Sequence, residues 1–491
     1  RSFQGYCACT RPDWTGANAS GWPGRHREVC AAFREGRLRP EQLGEDRGRG
    51  LVAGAGFRRG EDVCTAQPPL ALHQYEDSRR LCEACGHCHR LVGSLGSALR
   101  RPLEAAGAGP AEELVERPED LQELESAEWC LRPAVPCEDG CGTVFCGPEC
   151  LAAARAEGWH RVLCTDMAAH KRPIWPLFCK HAVRHQESFI MAARVIAEIV
   201  CLVRHSGADL FETMSFFARF AKMSWLNMVN LPSRSCTQAV PQQGRLGLMA
   251  RTRRERREEV LTESLEMLIF LLWERPFAEL LTLDFYANLV GQFSLSNVWV
   301  QIEHPLSERL RERANTDPEF RRRFQRLVEA SAKAALKVAG PDDDEEEAGP
   351  EAKGAARAGK GEEAEAATEP EAEAEEEADA WRLPRFEASG LYVCCALANH
   401  SCRPNFSLRF EDGAAATMYA LRDIAEGDEL TLAYVSPSYE LGERLASLWK
   451  HWGFVCTCQK CQEELMARAV AGATPAGAAG PAAGRLLLSP A

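Results

Sequence analysis

Long apolar runs are missing from this sequence. The best candidate, Met267-Leu268-Ile269-Phe270-Leu271-Leu272-Trp273, is flanked by glutamates. It falls well short of the ~20 residues a bilayer needs, and predicts a buried helix segment. The start, Arg1-Ser2-Phe3-Gln4, has no secretory pattern, so the 22 cysteines do not read as the disulfide framework of an exported protein. They fall in close clusters with a histidine among them, which points to zinc and a reducing compartment. Charge of one sign is also scarce once a single segment is set aside. Residues 341–380 carry 17 acidic and 3 basic side chains, so a net charge of −13 leaves +1 for the remainder. That Glu/Ala run predicts a disordered loop, which either steers a basic partner or simply solubilises the chain. Hydrophobic content of 45% is that of a globular protein, and 491 residues are too many for one ordinary core, which suggests two to four domains.

The informative residues are concentrated in Ala398-Asn399-His400-Ser401-Cys402-Arg403-Pro404-Asn405. Asn, His and Ser in succession put an amide, an imidazole and a hydroxyl on one loop, a compact way to read a polar ligand. The run Gly390–Cys395 before it reads as a strand. Strand-like runs also start at Met418 and Leu430, with the turn Glu426-Gly427-Asp428-Glu429 between them and Tyr434 at the end. Twenty residues further on comes Phe454-Val455-Cys456-Thr457-Cys458-Gln459-Lys460-Cys461. Cysteines this close suit three corners of a tetrahedral zinc site, and Cys402 is the economical fourth. Upstream, Gly48–Ala53 and Phe57–Val63 are short β-like runs at glycine turns and predict small hairpins.

A second cluster runs Cys85-x2-Cys88, Cys137-x3-Cys141, Cys146-x3-Cys150 and His160-x3-Cys164. Seven thiolates and one imidazole supply two four-ligand sites, each worth on the order of 10 kcal/mol of folding free energy in so small a segment. Cys82 and Cys130 are alternative ligands, and the intervening residues 101–128 are polar and Glu-rich. The segment is not basic and lacks recognition-helix spacing, so direct nucleic-acid binding is not expected. Residues 170–340 show helical spacing, clearest in Phe189–Val200 and in 258–283. The run Arg251–Arg257 within them reads as a nuclear address, a phosphate patch or a solvated helix face. Residues 1–46, with Cys7, Cys9 and Cys30, read as an irregular extension.

Asn-His-Ser-Cys-x-Pro-Asn, the Glu-Gly-Asp-Glu turn before a tyrosine, and the Cys-x-Cys-x-x-Cys tail resemble the C-terminal half of a SET domain with its post-SET cysteines. Gly50-Leu51-x-Ala53 and Gly60-Glu61 resemble the opening of that domain. The paired Cys/His residues resemble a MYND zinc finger, with a longer gap after Cys88 and one extra residue between Cys137 and Cys141. A MYND finger between two SET halves resembles the SET-and-MYND protein-lysine methyltransferases, over roughly residues 47–465. The Ala/Gly/Pro tail, in place of a helical-repeat domain, most resembles the fifth, shorter branch of that family.

The resemblance implies an α+β fold: a SET-type β fold split by a MYND zinc finger and a helical insert, with a zinc-binding post-SET segment and a pseudoknot-like threading near Asn399. The implied layout is an extension (1–46), SET N-terminal half (47–81), finger (82–164), helical insert (165–340), acidic loop (341–380), SET C-terminal half (381–436), post-SET segment (437–466) and tail (467–491). The implied activity is transfer of a methyl group from S-adenosylmethionine to a lysine ε-amine of a histone or other basic protein. Tyr434 is the implied catalytic residue, and Arg49, Gly50, Asn399, His400, Tyr434 and Phe454 the implied cofactor contacts. Gln292 stands where many relatives have an asparagine. Three zinc ions are implied: on Cys85, Cys88, Cys146 and Cys150; on Cys137, Cys141, His160 and Cys164; and on Cys402, Cys456, Cys458 and Cys461. A Pro-rich peptide at the finger is a further implied partner, no membrane is involved, and the compartment is cytosol, nucleus or both. The alternative is a non-catalytic adaptor that binds partner proteins through the finger.

Overall fold

The computed structural model describes residues 33, 35–44, 47–218, 220, 223–230, 243–339, 381–411 and 413–472. Cys7, Cys9, Cys30, the acidic run and the end of the tail lie outside these residues. The fold mixes helix and sheet. Leu38–Gln42 (β1) and Arg49–Ala53 (β2) form a hairpin, closed where the Leu43 N–H donates to the Gly48 carbonyl at 2.8 Å. Asp62–Gln67 (β3) and Ala71–Gln74 (β4) follow. Two small ladders come next, Gly93–Ser94 (β5) with Cys130–Arg132 (β6), and Val135–Pro136 (β7) with Val144–Phe145 (β8). The remaining strands are Val298–Ile302 (β9), Phe386–Leu391 (β10), Asn399–His400 (β11), Phe406–Phe410 (β12), Ala416–Ala420 (β13) and Glu429–Leu432 (β14).

Three sheets are ordered β1-β2-β14-β11, β4-β10-β9 and β12-β13-β3. Each combines strands from before residue 75 with strands from after residue 385. The central partner is β14, antiparallel to β2 through Leu430 and Leu51, and parallel to β11 through Asn399–Thr431 and His400–Leu432. Asn405 fixes this crossing. Its Nδ2 donates to the Glu429 carbonyl, its Oδ1 accepts from the Thr431 N–H (both 2.8 Å), and its own N–H donates to the Thr431 carbonyl.

Leu51, Ala53 and Leu430 pack into the main core beside the helix Ser188–Ser206. That helix is apolar on most sides and ends at Gly207, whose φ of 66° is a left-handed cap suited to glycine. Burying each of its Phe, Ile and Val side chains contributes about 1.5–3 kcal/mol.

Four expectations need correction. The run from Tyr392 to Cys395 is not strand: β10 ends at Leu391, and Val393–Leu397 is a short, almost wholly buried helix. A short apolar run buried on every side carries no period that separates the two states. The stretch 170–340 is not all helix, because β9 adds an alternating, β-branched edge to β10. Of the two glycine-turn runs only the first forms a hairpin, β2 with β1, while β3 pairs with the distant β13. The irregular extension contains β1, an outer strand of the first sheet. The Glu-rich gap also has structure. Leu95–Ala106 lays Leu95, Leu99 and Leu103 on one face, capped by a Ser94–Ser97 box, against Phe320 and Phe324 of Pro318–Ala339, with Trp129 stacked on Phe320.

In the arginine run, on the helix Gln243–Leu272, Arg254 donates to Asn227 and Arg257 lies over the Trp225 ring. Arg257 is half-buried, whereas Arg254 stays exposed. No described helix is long and apolar enough to cross a membrane.

Candidate active site and metal centres

The parallel β11–β14 pairing brings the Asn-His loop beside the segment that follows β14. Asn399 is held by its amide nitrogen, which donates to Glu429 Oε1 (3.0 Å) and to the Arg47 carbonyl (3.3 Å). Arg47 in turn pairs with the other Glu429 oxygen at 2.6 Å. Gly50 lets the β2 backbone close on this side chain, since a Cβ there would lie 3.0 Å from Asn399 Nδ2 and 2.2 Å from Leu43 Cδ1. Arg49 opens β2 next to it, opposite Gln42.

His400 is buried and accepts the Tyr434 N–H at Nδ1 (2.9 Å). The Tyr434 hydroxyl donates to the Ala398 carbonyl at 2.7 Å. The rings of His400, Phe454 and Trp452 surround that of Tyr434, with centroids at 5.2, 6.4 and 5.3 Å. Burial, with the Glu429 charge adding to it, pushes the Tyr434 phenol well above its ordinary range, so it stays neutral. Asn399, Gly50, His400, Tyr434 and Phe454 thus converge, joined by Trp452 and Glu429, which the sequence reading did not single out. Glu429 stood in the quoted turn, and Trp452 two residues before Phe454, so aromatic spacing was the available signal.

Gln292 is fully buried in the helix Leu283–Ser296, and neither end of its amide has a hydrogen-bond partner among the described residues. Asn297, at the end of the same helix, donates to Ser389 Oγ (2.6 Å), and its buried Oδ1 has no partner among the described residues. Two residues earlier, the Leu295 carbonyl accepts from Trp452 Nε1 at 3.3 Å, which sets this helix end against the aromatic group. A buried acceptor with no partner among the described residues, set against a half-buried aromatic group, fits a polar ligand.

The cysteines gather into three sets of four. Cys85, Cys88, Cys146 and Cys150 form one, Cys137, Cys141, His160 and Cys164 the second, and Cys402, Cys456, Cys458 and Cys461 the third, with the ligand atoms in each within 4.8 Å of one another. Bonds of about 2.3 Å to a tetrahedral zinc put sulfurs ~3.8 Å apart. The observed pairs match: Cys88–Cys146 at 3.5 Å, Cys137–Cys164 at 3.7 Å, Cys402–Cys461 at 3.5 Å and Cys402–Cys456 at 4.0 Å, with Cys141 Sγ 3.5 Å from His160 Nε2. In each set one sulfur is readily ionised. Hydrogen bonding from Cys88 lowers Cys85 to about 4, while bonding from Cys164 and from Cys402 lowers Cys141 and Cys456 to about 3. Four Cys/His donors this close, at separations near those of tetrahedral coordination, fit zinc.

The two alternative ligands lie elsewhere. Cys82 is buried and donates to the Ser78 and Arg385 carbonyls, and burial pushes it up to about 12. Cys130 is exposed on β6.

The SET domain family model matches residues 48–435. Over 79 residues the chain is 42% identical to the histone-lysine N-methyltransferase SET5 of Meyerozyma guilliermondii, covering 16% of each chain. Over 77 residues it is 35% identical to a SET and MYND domain-containing protein of Dictyostelium discoideum, covering 16% of this chain and 22% of that one. These matches span about a fifth or less of the relatives' length. A longer similarity, 22% identical over 473 residues, reaches 85% of this chain and 88% of the histone-lysine N-methyltransferase ATXR2 of Arabidopsis thaliana.

Proposed function

The chain belongs to the SET domain family, and from that premise we propose that it is an S-adenosylmethionine-dependent protein-lysine methyltransferase acting on a histone or other basic protein. The observation that carries the proposal is the convergence of Asn399, His400, Tyr434 and Phe454 against the β2 backbone at Gly50. Two similar proteins that bear the name histone-lysine N-methyltransferase support the reaction class.

The bound cofactor supplies a sulfonium methyl. Asn399, the Gly50 backbone and Phe454 would hold it, with Arg49 at the rim and the buried acceptor of Asn297 as a further contact. The lysine must arrive neutral, which from a reference pKa near 10.4 costs roughly 4–5 kcal/mol at pH 7. Tyr434 does not take that proton, because its phenol stays neutral. Its hydroxyl hydrogen is committed to Ala398, so its lone pairs remain to accept weak C–H···O and N–H contacts that align the reacting groups.

The segment 82–164 is proposed as a MYND-type finger with two zinc ions and a capacity for Pro-rich peptides, and 437–466 as a post-SET segment with a third zinc. The domain limits and the short-branch placement proposed are those read from the sequence, and the sites of action are nucleus, cytosol or both. The test is transfer of labelled methyl from S-adenosylmethionine to histones and cell-extract proteins. Wild type should label lysine, and Tyr434→Phe and His400→Ala should each reduce the label. No labelling and no cofactor binding by a zinc-loaded chain would leave the adaptor reading.

A further inference from the structure

His400 connects the aromatic site to the third cysteine cluster through its two ring nitrogens. The Tyr434 backbone N–H can only donate, so its 2.9 Å contact makes Nδ1 the acceptor. A neutral imidazole then carries its proton on Nε2, which lies 3.3 Å from Cys402 Sγ and donates to it, and the ring also reaches Cys456 of the same cluster. The residue is 6% exposed and its ring is packed between Tyr434 and Phe454, at 5.2 and 6.0 Å, so water does not compete for either nitrogen. Cys402 is the cluster member that comes from the Asn-His loop, and the other three come from the tail. Arg444, 1% exposed, reaches Cys461 Sγ at 3.8 Å and Glu464 at 2.7 Å and also approaches Cys402.

We propose that His400 is a positioning residue whose imidazole transmits the occupancy of the Cys402–Cys456–Cys458–Cys461 centre to Tyr434. With the centre filled, Cys402 Sγ is a fixed acceptor, the ring is pinned at both nitrogens, and the Tyr434 backbone is held. With the centre emptied, Sγ loses that fixed position, the ring keeps only one anchor, and Tyr434 loosens. The inference rests on reading this cluster as a metal centre, and it deepens the proposed function by giving His400 a side-chain role beyond cofactor contact.

Residue-resolved amide exchange at Tyr434 tests it in the full chain, with zinc counted on each sample. Cys458→Ser removes a ligand that His400 does not touch, and chelator is added until the count falls by one. Exchange at Tyr434 should then rise about tenfold or more. His400→Asn places Oδ1 where Nδ1 was, keeping the acceptor for Tyr434 while losing the reach to Cys402. In that background the same loss of zinc should change exchange by less than about threefold. Unchanged protection of Tyr434 after zinc loss in the single variant overturns the proposal. An equal rise in both backgrounds also overturns it, because local unfolding would then be the cause. S-adenosylmethionine binding is measured on the same samples. Zinc-loaded wild type that fails to bind it counts against the methyltransferase reading alone, since the exchange result does not depend on cofactor.

Discussion

The Cys85–Cys88–Cys146–Cys150 set and the Cys402–Cys456–Cys458–Cys461 set are each four cysteines within 4.8 Å of one another, and the remaining set replaces one cysteine by His160, yet their surroundings differ. The Cys85 and His160 sets share a small core of their own with Val92, Phe145 and Ala154. The Cys402 set packs in one cluster with Tyr434, Trp452 and Phe454. Similar donor sets therefore sit in two settings: one within a small core of its own, the other packed against the aromatic site.

The largest test of this contrast is Cys146→Ser. It should remove on the order of 10 kcal/mol of local folding free energy, seen as rapid amide exchange across 82–164 and one or two fewer zinc ions. Cofactor affinity should stay within about twofold, the scatter expected for distant, independent sites. If Cys146→Ser abolishes cofactor binding as completely as loss of the third centre does, the contrast fails.

Tyr434→Phe probes the other side. Turnover should fall about 10²–10³-fold with cofactor affinity nearly kept, because the hydroxyl acts on the reacting groups rather than on the fold. Gly50→Ala forces Leu43 and Asn399 apart at a cost of about 1–2 kcal/mol, visible as weaker cofactor binding with all three metal centres intact.

His304 supplies a stability baseline that belongs to neither region. Burial lowers it to about 4, and its Nδ1 accepts the Leu306 N–H at 3.2 Å, a bond only the neutral ring can make. Below the unfolded value of about 6.5 the unfolded chain binds the extra proton. Stability present above pH 6.5 is therefore lost as pH falls toward 4, by ~1 kcal/mol between pH 7.5 and 5.5. Denaturation midpoints of wild type minus His304→Gln isolate that slope. The smallest effect expected is from Glu429→Gln, which loosens the clamp on Asn399. With Arg47 half exposed, the change in cofactor affinity should be no more than about 1 kcal/mol.

The chemistry of this protein was more legible in its sequence than its packing. Asn399, His400, Cys402, Tyr434 and Phe454 stand in short runs whose side-chain types announce polar recognition and metal binding, so local spacing suffices. β9 did not stand out, because its one partner, β10, lies more than eighty residues further along the chain, and β1 is a short, largely polar edge of a hairpin. The helix at Leu95–Ala106 was hidden in charged sequence, its apolar face needing only Leu95, Leu99 and Leu103. Glu429 and Asn297 matter through what they touch, and nothing in their own neighbourhood marks that.

The pairing of β2 with β14 joins residues about 380 positions apart. At roughly 5–20 residues per second, a ribosome needs on the order of 20–75 s to make the intervening chain. During that interval the Arg49–Ala53 edge, buried from Gly50 onward in the finished fold, has only β1 beside it. The cysteine-rich and helical segments emerge before β14 does. The site is therefore among the last parts of the nascent protein to close, and a chain truncated before residue 429 carries an unpaired apolar edge, a substrate for chaperones and for aggregation.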